Sequence, residues 1–213
     1  MPDQSSSHWA KVFETEMRAR LGADGSHDIG HFRRVWKHAQ AIAREEGGDR
    51  DVLAAAAFLH DLVNPPKSSP DRPRASALSA EAAAPVLRAH GFPEDRIAEV
   101  QHAILTHSFS AGIAPETLEA RILQDADRLD ALGAIGIARC FNVSGQMGGG
   151  LFDPDDPLAH HRLFDDRAYA LDHFETKLYR IAETLHTKTA RSRAETRVSV
   201  MKRFVDDLLS ELT

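Results

Sequence analysis

Residues 54–67 read AAAAFLHDLVNPPK. An apolar run of strong helix formers ends in His60 and Asp61, and Pro65 and Pro66 follow. Proline lacks an N–H and restricts the residue before it, so no helix continues through this pair. The stretch therefore predicts a buried helix over residues 50 to 62 with a carboxylate at its end. A carboxylate in an apolar setting is costly unless a cation meets it. The rest of the chain has to supply that partner.

Working outward, nearly everything reads as helix. Trp9, Val12, Phe13, Met17 and Leu21 recur at helical spacing over residues 6 to 21, behind serines suited to capping. A helix over about 27 to 46 stops at Gly47-Gly48. The stretch NPPKSSPDRPRAS is a basic, proline-rich loop. Helices are predicted over about 76 to 90, from Pro93-Glu94-Asp95 onward, and from Pro115 to about 141. SGQMGGGLFDPDDP reads as a loop, and two further helices, about 166 to 186 and 190 to 211, complete the chain. With no strand pattern and no internal repeat, the fold class is all-α, an irregular helical bundle. The domain expectation is one unit, with a core over about 26–145 and C-terminal helices over about 156–213 packed on it.

The chain has 213 residues, 42% of them hydrophobic and 27% charged, ordinary for a globular domain. A net charge of −6 argues against general binding to nucleic acid. Its one cysteine, Cys140, permits no internal disulfide and fits a reducing cytoplasm. MPDQSSSHWAK has no apolar core of a signal peptide, and the apolar run VLAAAAFL is too short to span a bilayer. The expected partner is a small molecule, without nucleic acid or membrane, and the chain is expected to be a monomer or homodimer.

Twelve histidines are the compositional oddity. The dipeptide His-Asp is cheap and occurs at His27-Asp28 as well as at His60-Asp61. More specific is a set on three helices: His31, His60, Asp61 and Asp127. Two imidazoles and two carboxylates carry a charge of −2, which balances one divalent cation. Adjacent helix residues point about 100° apart, so His60 and Asp61 can share an ion only where the helix ends. Singly, each has a bland reading: a core histidine, a C-terminal surface residue, a solvated acid.

The order His…His-Asp…Asp resembles the HD-domain superfamily of metal-dependent phosphohydrolases. HDIGHFRRV resembles the first-ligand helix, FLHDLV carries the signature pair, and DADRLDALGAIGIAR resembles the last-ligand helix. HSFSAG and LDHFETKL further resemble small single-domain bacterial members. The resemblance implies that His31, His60, Asp61 and Asp127 ligate the metal. Two-metal members place further histidines between the pair and the last aspartate. Ser79 stands where one is expected, and His107 matches another. That departure implies a single metal, with His107 lining the site. Such ligands suit Mn²⁺, Mg²⁺, Fe²⁺ or Co²⁺ more than Zn²⁺.

The implied reaction is attack by metal-bound water on a phosphate ester or anhydride, most simply of a nucleotide. The protein then has to supply cationic clamps and a proton carrier. Arg34, one turn from His31, and Lys67, Arg72 and Arg74 in the basic loop are candidate phosphate binders; the loop residues are otherwise merely solvated. Asp130 either orients a ligand, holds water, contacts a sugar hydroxyl, or forms a salt bridge to Arg34 or Arg128. His27 is a supporting residue near the metal, a proton carrier or a surface histidine. His102 is read as structural and Cys140 as a core residue. The alternative function is a non-catalytic module that binds metal and nucleotide; its mark would be a damaged ligand set, whereas all four matching positions are intact.

Overall fold

The computed structural model describes residues 4–21, 28–65, 69–108 and 111–212. The described residues form helices and turns, with one isolated parallel bridge between Gly150 and Tyr169. Two compact units divide the chain, Met1–Asp127 and Arg128–Thr213. No helix among the described residues is long and apolar enough to cross a membrane.

The first unit is built round the opening stretch. Helix α3 (Arg50–Leu59) has every residue from 51 to 59 buried and packs against α1 (Gln4–Arg20), α2 (Ile29–Glu46) and α5 (Glu94–Thr106). A helix apolar all round belongs at the centre of its unit. Leu53, Phe58 and Leu59 are essentially inaccessible to water, and each contributes about 1.5–3 kcal/mol by burial. Asp49 caps α3 by accepting from the Asp51 and Val52 N–H groups. Asp51 inside the first turn accepts from Ser5 of α1 and Arg96 of α5, which ties three helices together.

Helix α3 is shorter than expected, ending at Leu59 with His60 as its C-cap. The chain then turns through residues 61–65 toward a 3₁₀ turn (Arg72–Arg74) that leads into α4 (Ala75–Ala89). Helix α4 packs on α5.

One long helix was expected from Pro115 to 141, and the structure has two. Helix α6 spans Leu118–Asp130 and α7 spans Gly133–Gln146. At the break Gly133 adopts φ 74°, a left-handed conformation that glycine alone takes without strain. A Cβ on Gly136 would stand 2.2 Å from the Ala131 carbonyl oxygen, so only glycine permits that close approach. The start of α6 is tied to α3 by Glu119 accepting from the Asp49 N–H at 2.8 Å. Its middle is tied to α5 by Gln124 donating to the Thr106 carbonyl at 2.6 Å.

In the second unit α7 packs on α9 (Lys188–Ser210), beside α8 (Tyr179–Glu183). Phe141, Phe174 and Phe204 form its aromatic centre, with ring centroids 5.8–6.3 Å apart. The helix expected over 166 to 186 begins only at Asp172 and runs into a π-helical turn at Phe174–Leu178. Side chains hold the preceding segment out of the helix. Arg162 donates to both carboxylate oxygens of buried Asp172, at 2.5 and 2.8 Å. Asp165 accepts from the N–H groups of Arg167 and Ala168, an Asx turn that competes with the helical ladder.

Candidate metal centre

Four helices of the first unit bring their ends together. His31 lies in the first turn of α2, where Asp28 caps the helix and accepts the His31 N–H at 2.9 Å. His60 ends α3, His107 ends α5, and Asp127 lies in the last turn of α6. Asp61 stands one residue past the α3 cap.

The His31 and His60 Nε2 atoms are 3.2 Å apart. Asp127 Oδ1 lies 3.6 Å from His31 Nε2 and 4.0 Å from His60 Nε2. Asp61 faces two ways: Oδ2 is 3.6 Å from His60 Nε2, and Oδ1 is 3.6 Å from His107 Nε2. Two groups that could hold a metal result, His31–His60–Asp127 and His60–Asp61–His107, with His60 common to both. Within each group the candidate ligand atoms lie within 4.8 Å of one another.

The donor chemistry fits a cation. A carbonyl only accepts, so the 3.0 Å contact from His60 Nδ1 to the Ala57 carbonyl puts the ring proton on Nδ1. Nε2 of a neutral ring then presents a lone pair to a second imidazole and two carboxylates. His60 is completely buried, and burial pushes its pKa down to about 4, against the opposing pull of Asp61. It is therefore neutral at physiological pH. Ligand atoms about 2.1 Å from one ion stand about 3–4 Å apart, and the separations here match that spacing.

His107 is held in the same way, with Nδ1 donating to the Ile104 carbonyl at 2.6 Å. Burial acts to lower its pKa, but the hydrogen bond and charge of Asp61 outweigh it, so the net shift is upward. The residue expected to line the site thus stands beside a candidate ligand.

Ser79, found where a second-site histidine was anticipated, is fully buried. Its hydroxyl accepts from the Val63 N–H and donates to the Val63 carbonyl, both at 3.1 Å. Arg72 donates to the Asn64 side-chain oxygen and, at 3.1 Å, to the Pro65 carbonyl. Sequence reasoning missed both contacts; the Pro65-Pro66 pair marks where they fall but not what meets them. Arg34 is partly buried, and its Nη1 lies close enough to Gly30 that a Cβ there would meet it at 3.1 Å. Arg74 is exposed. His27 and Lys67 lie outside the described residues.

Asp130 is nearly inaccessible to water and pairs with Arg139 at 2.7 Å, a partner sequence reasoning did not name. Arg128 donates to the carbonyl and hydroxyl of Thr184, at 2.7 and 2.8 Å. His102 Nε2 accepts from the Glu116 N–H at 3.1 Å. Cys140 donates to the Ala170 carbonyl, and burial pushes its thiol up to about 11, which leaves little thiolate for chemistry.

The HD domain profile matches residues 28–132, a span that contains all five converging side chains. The protein YpgQ of Bacillus subtilis (strain 168) is 34% identical over 208 residues, covering 95% of this chain and 93% of its own. The crystal structure of YpgQ in complex with ADP is similar at TM-score 0.78 and 32% identity, over 98% of this chain and 97% of that one. An HD-superfamily hydrolase from Bacillus thuringiensis is similar at TM-score 0.74 and 30% identity, over 97% of both chains. Coverage end to end, together with histidines and aspartates converging within the matched span, places this chain in the HD-domain superfamily, among its hydrolases.

Proposed function

We propose that this protein is a metal-dependent phosphohydrolase that cleaves a phosphate ester or anhydride of a nucleotide. The observation that carries the proposal is the neutral, buried His60 Nε2 facing His31 and two carboxylates. His31, His60, Asp61 and Asp127 would hold one divalent cation, with Mn²⁺, Mg²⁺, Fe²⁺ or Co²⁺ preferred over Zn²⁺. When bound, such an ion supplies Lewis acidity and neutralises phosphate charge.

The chain's own groups do the rest. Ala57 and Ile104 carbonyls fix the tautomers of His60 and His107. His107 Nε2, beside Asp61, is placed to give or take a proton. Arg34, Lys67 and Arg74 are the proposed phosphate contacts, with Arg72 at the edge of the same loop; His27 and Asp130 are kept as supporting groups. The nucleotide reading is supported by the relative's structure with ADP.

The test is a screen of nucleoside mono-, di- and triphosphates on EDTA-treated protein reloaded with each metal in turn. Metal-dependent release of phosphate or pyrophosphate is expected. Metal and nucleotide binding without turnover would instead identify a regulatory module.

A further inference from the structure

We propose that Ser79 and Arg72 are positioning residues for Asp61: they hold the segment that follows it so that its carboxylate faces the candidate metal centre. The proposal rests on the reading of that centre given above. Past Leu59 the helical ladder gives out, and a turn bond from the Leu62 N–H to the Leu59 carbonyl, 3.1 Å, follows. The next three residues are then held from outside. Ser79 satisfies both backbone groups of Val63 with one hydroxyl, and Arg72 meets the Asn64 side chain and the Pro65 carbonyl. Both anchors belong to the 3₁₀ turn and α4, so α4 is the template against which the Asp61 segment is set.

Tolerances give the arrangement its consequence. Metal–ligand distances hold to about ±0.2 Å. The Asp61 carboxylate addresses His60 with one oxygen and His107 with the other, each at 3.6 Å. A segment held only by proline stiffness would let that carboxylate wander further than coordination allows. The bracket also gives Arg72, which sequence reasoning placed on phosphate, a partner that needs no substrate.

The experiment uses the full chain and the variants Arg72→Ala, Arg72→Lys and Ser79→Ala. Each is stripped with EDTA and titrated with Mn²⁺ by calorimetry in phosphate-free buffer, and the visible spectrum of the Co²⁺-loaded protein is recorded. Arg72→Ala and Ser79→Ala should each weaken Mn²⁺ binding about tenfold, the lower end of what supporting residues cost, and should alter the Co²⁺ bands. Arg72→Lys, which keeps one donor, should recover part of both. The metal-free melting temperature of Arg72→Ala should stay within a few degrees of the parent's, because Arg72 is only partly buried; this variant decides the matter if Ser79→Ala does not fold. Parent-like Mn²⁺ affinity and Co²⁺ spectra in both alanine variants overturn the proposal. Lost ADP affinity with metal binding intact in Arg72→Ala also overturns it, and makes Arg72 a phosphate clamp. A parent chain that takes up no Mn²⁺ overturns the reading of the centre itself, so the two failures are distinguishable.

Discussion

Asp127→Asn separates the metal's contribution to stability from that of the fold. Asparagine keeps the shape and one oxygen but removes a charge, so the four candidate ligands fall from −2 to −1. The carboxylate oxygen that faces the imidazoles, Oδ1, lies 3.6 Å from His31 Nε2 and 4.0 Å from His60 Nε2 and loses its share of the negative charge. Changes even to supporting residues cost about 10–100-fold in metal affinity, so the loss of a charged ligand should cost at least about 100-fold. At a Mn²⁺ concentration 100 times the parent's Kd, binding stabilises the parent by about 2.7 kcal/mol. The same concentration equals the variant's Kd and stabilises it by about 0.4 kcal/mol. For a chain of this size about 2–4 °C accompanies each kcal/mol, giving a metal-induced Tm rise of about 5–11 °C in the parent and about 1–2 °C in the variant. Without metal the order should be level or reversed, because Asp127 then faces the His60 Nε2 lone pair with no cation between. Calorimetric melts with EDTA and with Mn²⁺ measure both. A variant whose Tm rises with Mn²⁺ as far as the parent's would refute Asp127 as a ligand.

Three further outcomes are expected. His107→Ala should keep one Mn²⁺ per chain while turnover falls, as metal analysis and single-substrate kinetics would show; a second ion lost with the histidine would instead make it a ligand. Lys67→Ala should leave metal content alone and reduce kcat/KM by about 1–3 kcal/mol in transition-state terms, the loss of one charge-assisted hydrogen bond; parent-like kinetics on the best nucleotide would remove Lys67 from the site. Gly136→Ala should destabilise the chain by about 1–3 kcal/mol or more through overpacking, because its Cβ meets the Ala131 carbonyl at 2.2 Å; a denaturation midpoint equal to the parent's would refute that close approach.

Much of the site was readable because ligand chemistry belongs to residue types. Imidazoles and carboxylates are residue types able to meet a cation, and it is the resemblance of the order His31, His60-Asp61, Asp127 to the HD-domain pattern that singled these four out. The helices of the first unit were readable for a similar reason: apolar periodicity and stop signals such as Gly47-Gly48 act within a few residues. The errors fell where distant contacts override local preference. RLDALGAIGIAR reads as continuous helix, yet it breaks at 131–132, where Gly133 and Gly136 permit a turn and a close approach that propensity does not register. DDRAYALD reads as helix too, but the Arg162–Asp172 pair and the Asp165 turn hold it otherwise.

By itself, then, the sequence determined the all-α class, the buried central helix and the kinds of atom able to meet a metal. Those follow from period, capping and donor chemistry, all of which are local. Only the tertiary structure decided that Asp61 turns one oxygen to His60 and the other to His107, that Ser79 and Arg72 bracket the loop behind it, and that Asp130 pairs with Arg139. Each of these depends on where a side chain from another segment ends in space. A hydrogen bond forms or fails over a few tenths of an ångström, a tolerance that spacing along the chain does not encode.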